Sequence, residues 1–225
     1  MNQKNYEDFR KLISDQPLVD LITKIKTGEG KVSGDDFRHL AEREKIPSNL
    51  RLLVLFAADL LDEREYWGRD SLTGLMNSSR LGESVAGVFI RLGSHPEEKF
   101  TLILYDLDSL KKANNMGEGH RGGDRLVMSF ASSLKQVYGS RTDMIGRWRV
   151  GDEFMVGIKG DKTETGKLAE KLSQKLKSKK IMISHKPVKL SATYVIKELD
   201  IMKDLRKQIS ALSVELLKKK NASQK

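Results

Sequence analysis

The sequence predicts an α+β domain, a central sheet containing an antiparallel hairpin and covered by helices, preceded by a small all-helical module. Three observations carry this. Up to about residue 66, apolar residues recur only at helical spacing. From about residue 70 onward, short apolar runs of strand length alternate with longer amphipathic stretches. Within that second part, Gly151-Asp152-Glu153 joins two short apolar runs in the manner of a tight hairpin. Helices alternating with strands around a hairpin form a sheet with helices packed on it.

The first region, residues 1–66, reads as three or four helices. Tyr6, Phe9, Leu12 and Ile13 share one helical face, and Leu18, Val19, Leu21, Ile22 and Ile25 share another. Pro17 sits where a first helical turn tolerates it, and Gly28-Glu29-Gly30 ends that segment. Ser33 reads as the N-cap of a helix from Gly34 to Lys45, and Pro47-Ser48 opens a long helix to about Tyr66. A bundle this small relies on a neighbour for stability, so the module reads as regulatory or dimerising. It holds no ligand-binding constellation, and its lone His39 reads as structural.

The second region, residues 67–225, gives mixed elements in order. Leu75 to Leu92 is helix-like, and Phe100 to Tyr105 is a buried strand by its length and apolar run. His120 to Val137 is helical, with Leu126, Val127, Phe130 and Leu134 on one face. Ile145–Val150 and Phe154–Ile158 are the hairpin strands. A lysine-rich helix follows from Gly166 to Lys177, with Leu168, Leu172 and Leu176 four apart. Ile181–Ser184 and Val188–Ile196 read as strands around His185-Lys186-Pro187, and a last helix covers about Met202 to Lys219.

Composition narrows the setting. The chain of 225 residues is 38% hydrophobic, enough for a proper core, and 32% charged. It has no cysteine, which excludes disulfides and thiolate metal sites. The first residues lack the apolar run of a signal peptide. The most apolar stretch, Leu50 to Leu61, contains Arg51 and Asp59 and is too short to span a bilayer. The expectation is a cytoplasmic protein with no membrane segment. The net charge of +10 is concentrated in residues 155–225, which carry 18 Lys and Arg against 7 Asp and Glu. Lysine-rich helix faces in water account for most of this, although a polyphosphate or an acidic partner would also be drawn to it. Nucleic acid ranks lowest among these partners, because no aromatic residues interleave the basic ones.

Two acidic clusters stand at strand ends: Asp106-Leu107-Asp108 after the strand from Phe100, and Asp152-Glu153 in the hairpin turn. If those strands are neighbours, the carboxylates converge at one edge of the sheet. Close carboxylates stay ionised together only when a cation or buried base compensates them. Oxygen-only ligands favour Mg2+, which clamps phosphate oxygens and assists displacement at phosphorus. Either cluster alone is as well explained by the ordinary preference of Asp and Glu for turns.

Four motifs in order add to that reading. Asp70-Ser-Leu-Thr-Gly-Leu-Met-Asn77, Asp106-Leu-Asp-Ser-Leu-Lys111-Lys-Ala-Asn114-Asn115, Gly119-His120-Arg-Gly-Gly123-Asp124 and Val150-Gly-Asp-Glu-Phe154 resemble the successive motifs of GGDEF domains, with a divergent VGDEF at the name-giving position. The resemblance implies a polymerase-palm-like fold and a diguanylate cyclase that joins two GTP molecules into cyclic di-GMP across a homodimer. It also implies a site. Asp106 and Asp152 would ligate Mg2+ (or Mn2+), with the Leu107 carbonyl nearby. Glu153 would assist the metal or the activation of the 3′-hydroxyl. Asn114 and Asp124 would read guanine, Lys111 would neutralise phosphate charge, and backbone at Ser109 and Leu110 would cradle the phosphates. The guanine assignment suits the chemistry, since a carboxylate accepts from the N1–H and N2–H of guanine.

The chain departs from the family pattern in several places. Val150 replaces a glycine, the segment between Asn114 and His120 is one residue longer, and the opening motif continues as Ser78-Ser79-Arg80. Ser191-Ala192-Thr193 stands for a serine-x-glycine, and Leu217-Lys-Lys-Lys-Asn221 is a poor echo of the closing cationic motif. Ser140-Arg141-Thr142-Asp143 has its arginine one place late for the family's inhibitory product site. Three readings stay open: a diguanylate cyclase whose helical module controls dimerisation; a degenerate domain that holds GTP or cyclic di-GMP or docks a protein partner; and another nucleotide cyclase on the same palm. A protein partner would engage the N-terminal helices.

Overall fold

The computed structural model describes residues 16–27, 32–42, 46, 48–142, 144–148 and 151–223. The expected helix around Tyr6 to Ile13, and Asp143, Arg149 and Val150, lie outside the described residues. The chain divides into two compact units, Met1–Gly68 and Arg69–Lys225. No helix among the described residues is long and apolar enough to cross a membrane.

The N-terminal unit contains α1 (Gln16–Thr27), α2 (Gly34–Ala41) and α3 (Ser48–Trp67). Helix α2 starts where the sequence places it: Asp36 accepts from both the backbone N–H and the hydroxyl of Ser33. It ends at Ala41, earlier than the expected Lys45. Leu18, Phe37, Leu40, Ala41, Val54 and Ala58 form the core of this unit. Helix α3 contributes only one of its faces. Leu52, Leu53, Phe56, Leu60, Tyr66 and Trp67 are exposed, Leu52 and Trp67 by 72% and 73%.

The second unit is built on a four-stranded sheet in the order β2-β3-β1-β6, antiparallel throughout, with β1 at Phe100–Leu107, β2 at Ile145–Arg147, β3 at Glu153–Lys159 and β6 at Ala192–Glu198. Strand β1 is buried along its whole length. Its residues alternate between two cores, as the period of two along a strand requires. Ile103, Tyr105 and Leu107 face the core that includes Leu126, Phe130 and Leu134 of α6 (His120–Tyr138) and Leu172 and Leu176 of α7 (Lys162–Lys177). Phe100, Leu102 and Leu104 face the other, with Leu81, Val85 and Leu92 of α4 (Ser78–Ser94) and Leu212 and Leu216 of α8 (Leu205–Ser223). A sheet buried on both faces needs a near-continuous apolar central strand, and Phe100–Leu107 is one. The buried hydroxyls of Tyr105 and Tyr138 satisfy each other at 2.5 Å.

Further boundaries differ from the periodicity reading, among them the end of β2 at Arg147, short of the expected Val150. Helix α4 begins at Ser78, capped by the Asn77 side chain on the N–H of Arg80, and not at Leu75. The preceding residues are held by the sheet instead: Met76 donates to Ile145 and accepts from Arg147. Helix α7 begins at Lys162, where Asp161 caps Thr163 and Glu164; its polar first turn carries no apolar period to reveal it. Helix α8 begins at Leu205, with Asp204 accepting from Lys207, and continues to Ser223. The expected strand Val188–Ile196 is two strands. β4 (Lys180–Ile183) and β5 (Lys186–Lys189) form a separate hairpin turning at Ser184-His185, both with positive φ, and only β6 joins the main sheet. Pro187 is tolerated inside β5 because a two-stranded ribbon is all edge.

The longer segment before His120 has a structural use. Glu118 accepts from the N–H of Ser184 and pairs with Arg125, which also donates to the Met182 carbonyl at 2.9 Å. The insertion is thereby tied to the β4–β5 hairpin. The Ser184 N–H holds the Glu118 carboxyl below its ordinary value; partial desolvation opposes this and Arg125 reinforces it. Because the folded value lies below the unfolded one, the stabilisation is complete above the unfolded value and is lost as pH falls through the folded one. Glu118→Gln should therefore lower Tm at neutral pH, and the gap to wild type should close below about pH 4. A gap that stays constant with pH in thermal melts would remove this ion pair from the account.

Candidate active site

The two acidic clusters do meet. Strands β1 and β3 pair so that Asp106 stands opposite Glu153. The N–H of Leu107 donates to the Asp152 carbonyl at 2.8 Å, which fixes the hairpin turn against the end of β1. Asp106 is buried, while Asp152 and Glu153 are half-buried. Burial pushes the Asp106 carboxyl up from its ordinary value, with Asp152 and Asp108 adding to the rise and Lys220 opposing it. A cation belongs here on these grounds, and the chain supplies one. Lys220, near the end of α8, donates its ammonium to Asp106 Oδ1 and lies 3.7 Å from Asp152 Oδ2. Burial works against that ammonium, yet the Asp106 bond and the charges of Asp106, Asp152 and Asp108 outweigh it and raise its pKa.

The donor set fits a hard divalent cation: two carboxylates with a positive charge already accommodated against both acids. Among the described residues, no three His, Cys, Asp or Glu side chains are gathered into a ready-made metal cage. Asp106 and Asp152 are therefore the pair that would hold Mg2+, with water and substrate oxygens completing its shell.

Asp108, the other acid of the first cluster, is engaged elsewhere. It accepts from Ser191 Oγ at 2.9 Å and from Thr193 Oγ1 at 3.2 Å, while its N–H donates to the Ser191 carbonyl. The Ser-x-Thr departure thus anchors the start of the loop after β1 to β6. Ser109 follows in the left-handed conformation (φ 66°) and starts α5, Leu110–Asn114. Its position and that of Leu110 leave the first N–H groups of the turn without intrahelical acceptors. Lys111 is exposed on α5, and Asn114 ends that helix.

Close packing of α5 on α6 places Asn114. A Cβ built on Gly123 would lie 2.0 Å from Asn114 Oδ1 and 2.9 Å from Leu110 Cδ1. One built on Gly122 would lie 2.7 Å from the Ala113 carbonyl. Gly122 and Gly123 are thus the surface on which the end of α5 and Asn114 rest, and half-buried Asp124 follows directly. Asn114 and Asp124 come from neighbouring helices to the same neighbourhood.

Sequence reasoning missed two residues. Arg147 donates to the Gly151 carbonyl through Nε (3.0 Å) and Nη2 (2.7 Å) and to Asp70 Oδ2 at 3.3 Å. It ties the opening motif to the hairpin turn. Asp70 in turn accepts from the N–H and hydroxyl of Thr73. Nothing local marks an arginine in a short strand as that link. Lys220 was visible only as part of a poor echo of the closing cationic motif, and the fold brings its ammonium to the carboxylates. The neighbouring Lys219 donates to the Tyr194 carbonyl at 2.9 Å and sits 4.7 Å from the centre of its ring. This sets the end of α8 beside β6. Arg141, one place late for the family's inhibitory product site, pairs with Glu164 at 3.3 Å, and Asp143 lies outside the described residues.

An antiparallel sheet between helix layers, with facing carboxylates where β1 ends, defines a palm-like α+β domain. The family described as "Diguanylate cyclase, GGDEF domain" matches residues 68–223, and the chain belongs to that family of cyclic di-GMP signalling domains. Solved structures agree on the fold. The diguanylate cyclase SiaD of Pseudomonas aeruginosa, crystallised with its activator SiaC, is 20% identical over 97% of this chain and 79% of its own, with a TM-score of 0.68. The coiled coil and GGDEF domain of DgcB from Caulobacter crescentus, in complex with c-di-GMP, is 16% identical over 77% and 91%, with a TM-score of 0.66. A sensory box/GGDEF family protein from Caulobacter crescentus is 24% identical over 69% and 99%, with a TM-score of 0.59. Comparison with curated proteins returns no match.

Proposed function

We propose that this protein is a diguanylate cyclase that binds GTP with Mg2+ (or Mn2+) and condenses two GTP into cyclic di-GMP as a homodimer. The observation that supports it is the convergence of Asp106 and Asp152 around a positive charge at the end of β1. In this reading each 3′-hydroxyl attacks the α-phosphorus of the partner's GTP, and each attack expels pyrophosphate. The divalent cation supplies charge neutralisation at the phosphates. Asp106 and Asp152 hold it, with the Leu107 carbonyl alongside. Glu153, opposite Asp106 in the sheet, orients the metal shell or takes the hydroxyl proton. Asn114 and Asp124 bind the guanine edge, the backbone at Ser109 and Leu110 receives the phosphates, and Lys111 adds positive charge from α5.

Dimerisation through the N-terminal unit is supported by the exposed face of α3. Leu53, Phe56, Leu60 and Trp67 fall at the three-and-four spacing of a helix–helix seam. The same face would also suit a regulatory protein partner. The division between Gly68 and Arg69, two residues beyond the expected 66–67, separates this module from the cyclase domain, and a GTP substrate suits a cytoplasmic setting. The second reading, a domain that holds nucleotide without turnover, is favoured by one observation: Lys220 already occupies the carboxylates.

Incubating the purified chain with GTP and Mg2+ should give cyclic di-GMP by chromatography, at a rate per protomer that rises with protein concentration. ATP in place of GTP should give none. Tight GTP binding with no product would discard the cyclase and leave the binding domain.

A further inference from the structure

Lys220 is placed by the fold with some care. Helix α8 is capped at Asp204, packed on the sheet through Leu212 and Leu216, and fixed at its far end by Lys219 on Tyr194. The next side chain therefore points at the end of β1. Its ammonium bonds the same Asp106 carboxylate that the proposed function assigns to the metal and reaches toward Asp152. The Lys220 side chain is partly exposed, at 25%, and its ammonium sits on a flexible four-carbon stem, so it can withdraw to solvent.

We propose that Lys220 is the resident counter-cation of the metal site, and that a divalent ion must displace it in order to bind. This rests on the reading of Asp106 and Asp152 as metal ligands. Two carboxylates with the ammonium carry one net negative charge, and with a divalent ion alone they carry none. With both cations present, ammonium and ion compete for the same Asp106 oxygens and repel each other at short range in a partly desolvated place. The two states are exclusive. The metal-free protein keeps its acids assembled without a metal, and binding of free metal is weakened by the cost of breaking a charge-assisted hydrogen bond. Loading is thereby biased toward metal that arrives with nucleotide, whose phosphate oxygens add ligands and negative charge that the free ion lacks.

The test is Mn2+ binding to the full-length chain without nucleotide, read from the electron paramagnetic resonance signal of the free ion. Lys220→Gln should bind Mn2+ about tenfold tighter than wild type, the lower end of what a charge-assisted hydrogen bond is worth. Lys220→Arg, which keeps the charge, should bind as weakly as wild type. Adding Asp106→Asn to Lys220→Gln should abolish the gain, which locates the ion. Should Lys220→Gln melt early, the rise in its Tm on adding Mn2+ provides the same comparison, and it should exceed the rise for wild type. Equal or weaker binding by Lys220→Gln, or an equal or smaller rise in Tm, overturns the inference while leaving the metal site standing. Absence of Mn2+ binding in every variant, with GTP or without, removes the metal site itself and this inference with it.

Discussion

Asp106→Asn should lower Mg2+-dependent GTP affinity by at least about 100-fold, beyond what loss of an outer-shell partner costs, and take product formation below detection. The amide preserves the shape of the side chain and removes the charge. The cation then keeps one carboxylate of the pair, Asp152, and that one is half-buried on a turn. The fold should survive, because β1 is held by its pairing with β3 and β6 and by apolar residues on both faces. Calorimetric GTP titrations with Mg2+ and with EDTA separate the two effects. Wild type and variant should differ strongly with the metal and little without it. Equal affinities in Mg2+ would remove Asp106 from the metal site.

Gly123→Ala should weaken GTP binding by about 10- to 100-fold while leaving Mn2+ binding at the carboxylates unchanged, the worth of one guanine partner left unpaired. The new methyl would sit 2.0 Å from Asn114 Oδ1, a distance no pair of atoms sustains, and the nearer remedy is for the asparagine side chain to turn away. Gly122→Ala is the instructive contrast. There the methyl meets the Ala113 carbonyl at 2.7 Å, so backbone must move and α5 lifts from α6. That variant should lose stability by about 1–3 kcal/mol as well as affinity. GTP affinity in a well-folded Gly123→Ala equal to that of wild type would mean that Asn114 does not read the base.

Much of the fold was legible because burial leaves a local trace. Phe100–Leu107 is apolar throughout because both faces of β1 are covered, and the apolar stripe of His120–Tyr138 is the face it presents to Phe154 and Tyr105. The elements misplaced from sequence were the ones whose limits are set by polar contacts. Asp161 starts α7 at Lys162, four residues before the expected Gly166, and Asn77 delays α4 because Met76 is claimed by β2. The pairing of β4 with β5 turns on two residues, Ser184 and His185, adopting positive φ without glycine, which composition does not announce.

The candidate site divides the same way. The acids at residues 106, 108, 152 and 153 were readable by type and position at strand ends, and Asn114 and Asp124 were singled out by the family resemblance. Type and spacing alone did not separate Asp106 from Asp108, and only the family resemblance pointed to Asp106. Asp108 looks like Asp106 in sequence and is tied to Ser191 and Thr193 instead, a contact across 83 positions of chain.

By itself, the sequence determined the family, the alternation of elements and the residues chemically able to hold a metal and a guanine. These are properties of short segments, and side-chain chemistry and periodicity express them locally. Only the tertiary structure decided that Lys220, 114 positions away from Asp106, is the cation that meets it, and that Arg147 joins Asp70 to the hairpin turn. Such contacts depend on where helix and strand ends arrive after packing, and a lysine or arginine in the sequence carries no mark of its destination.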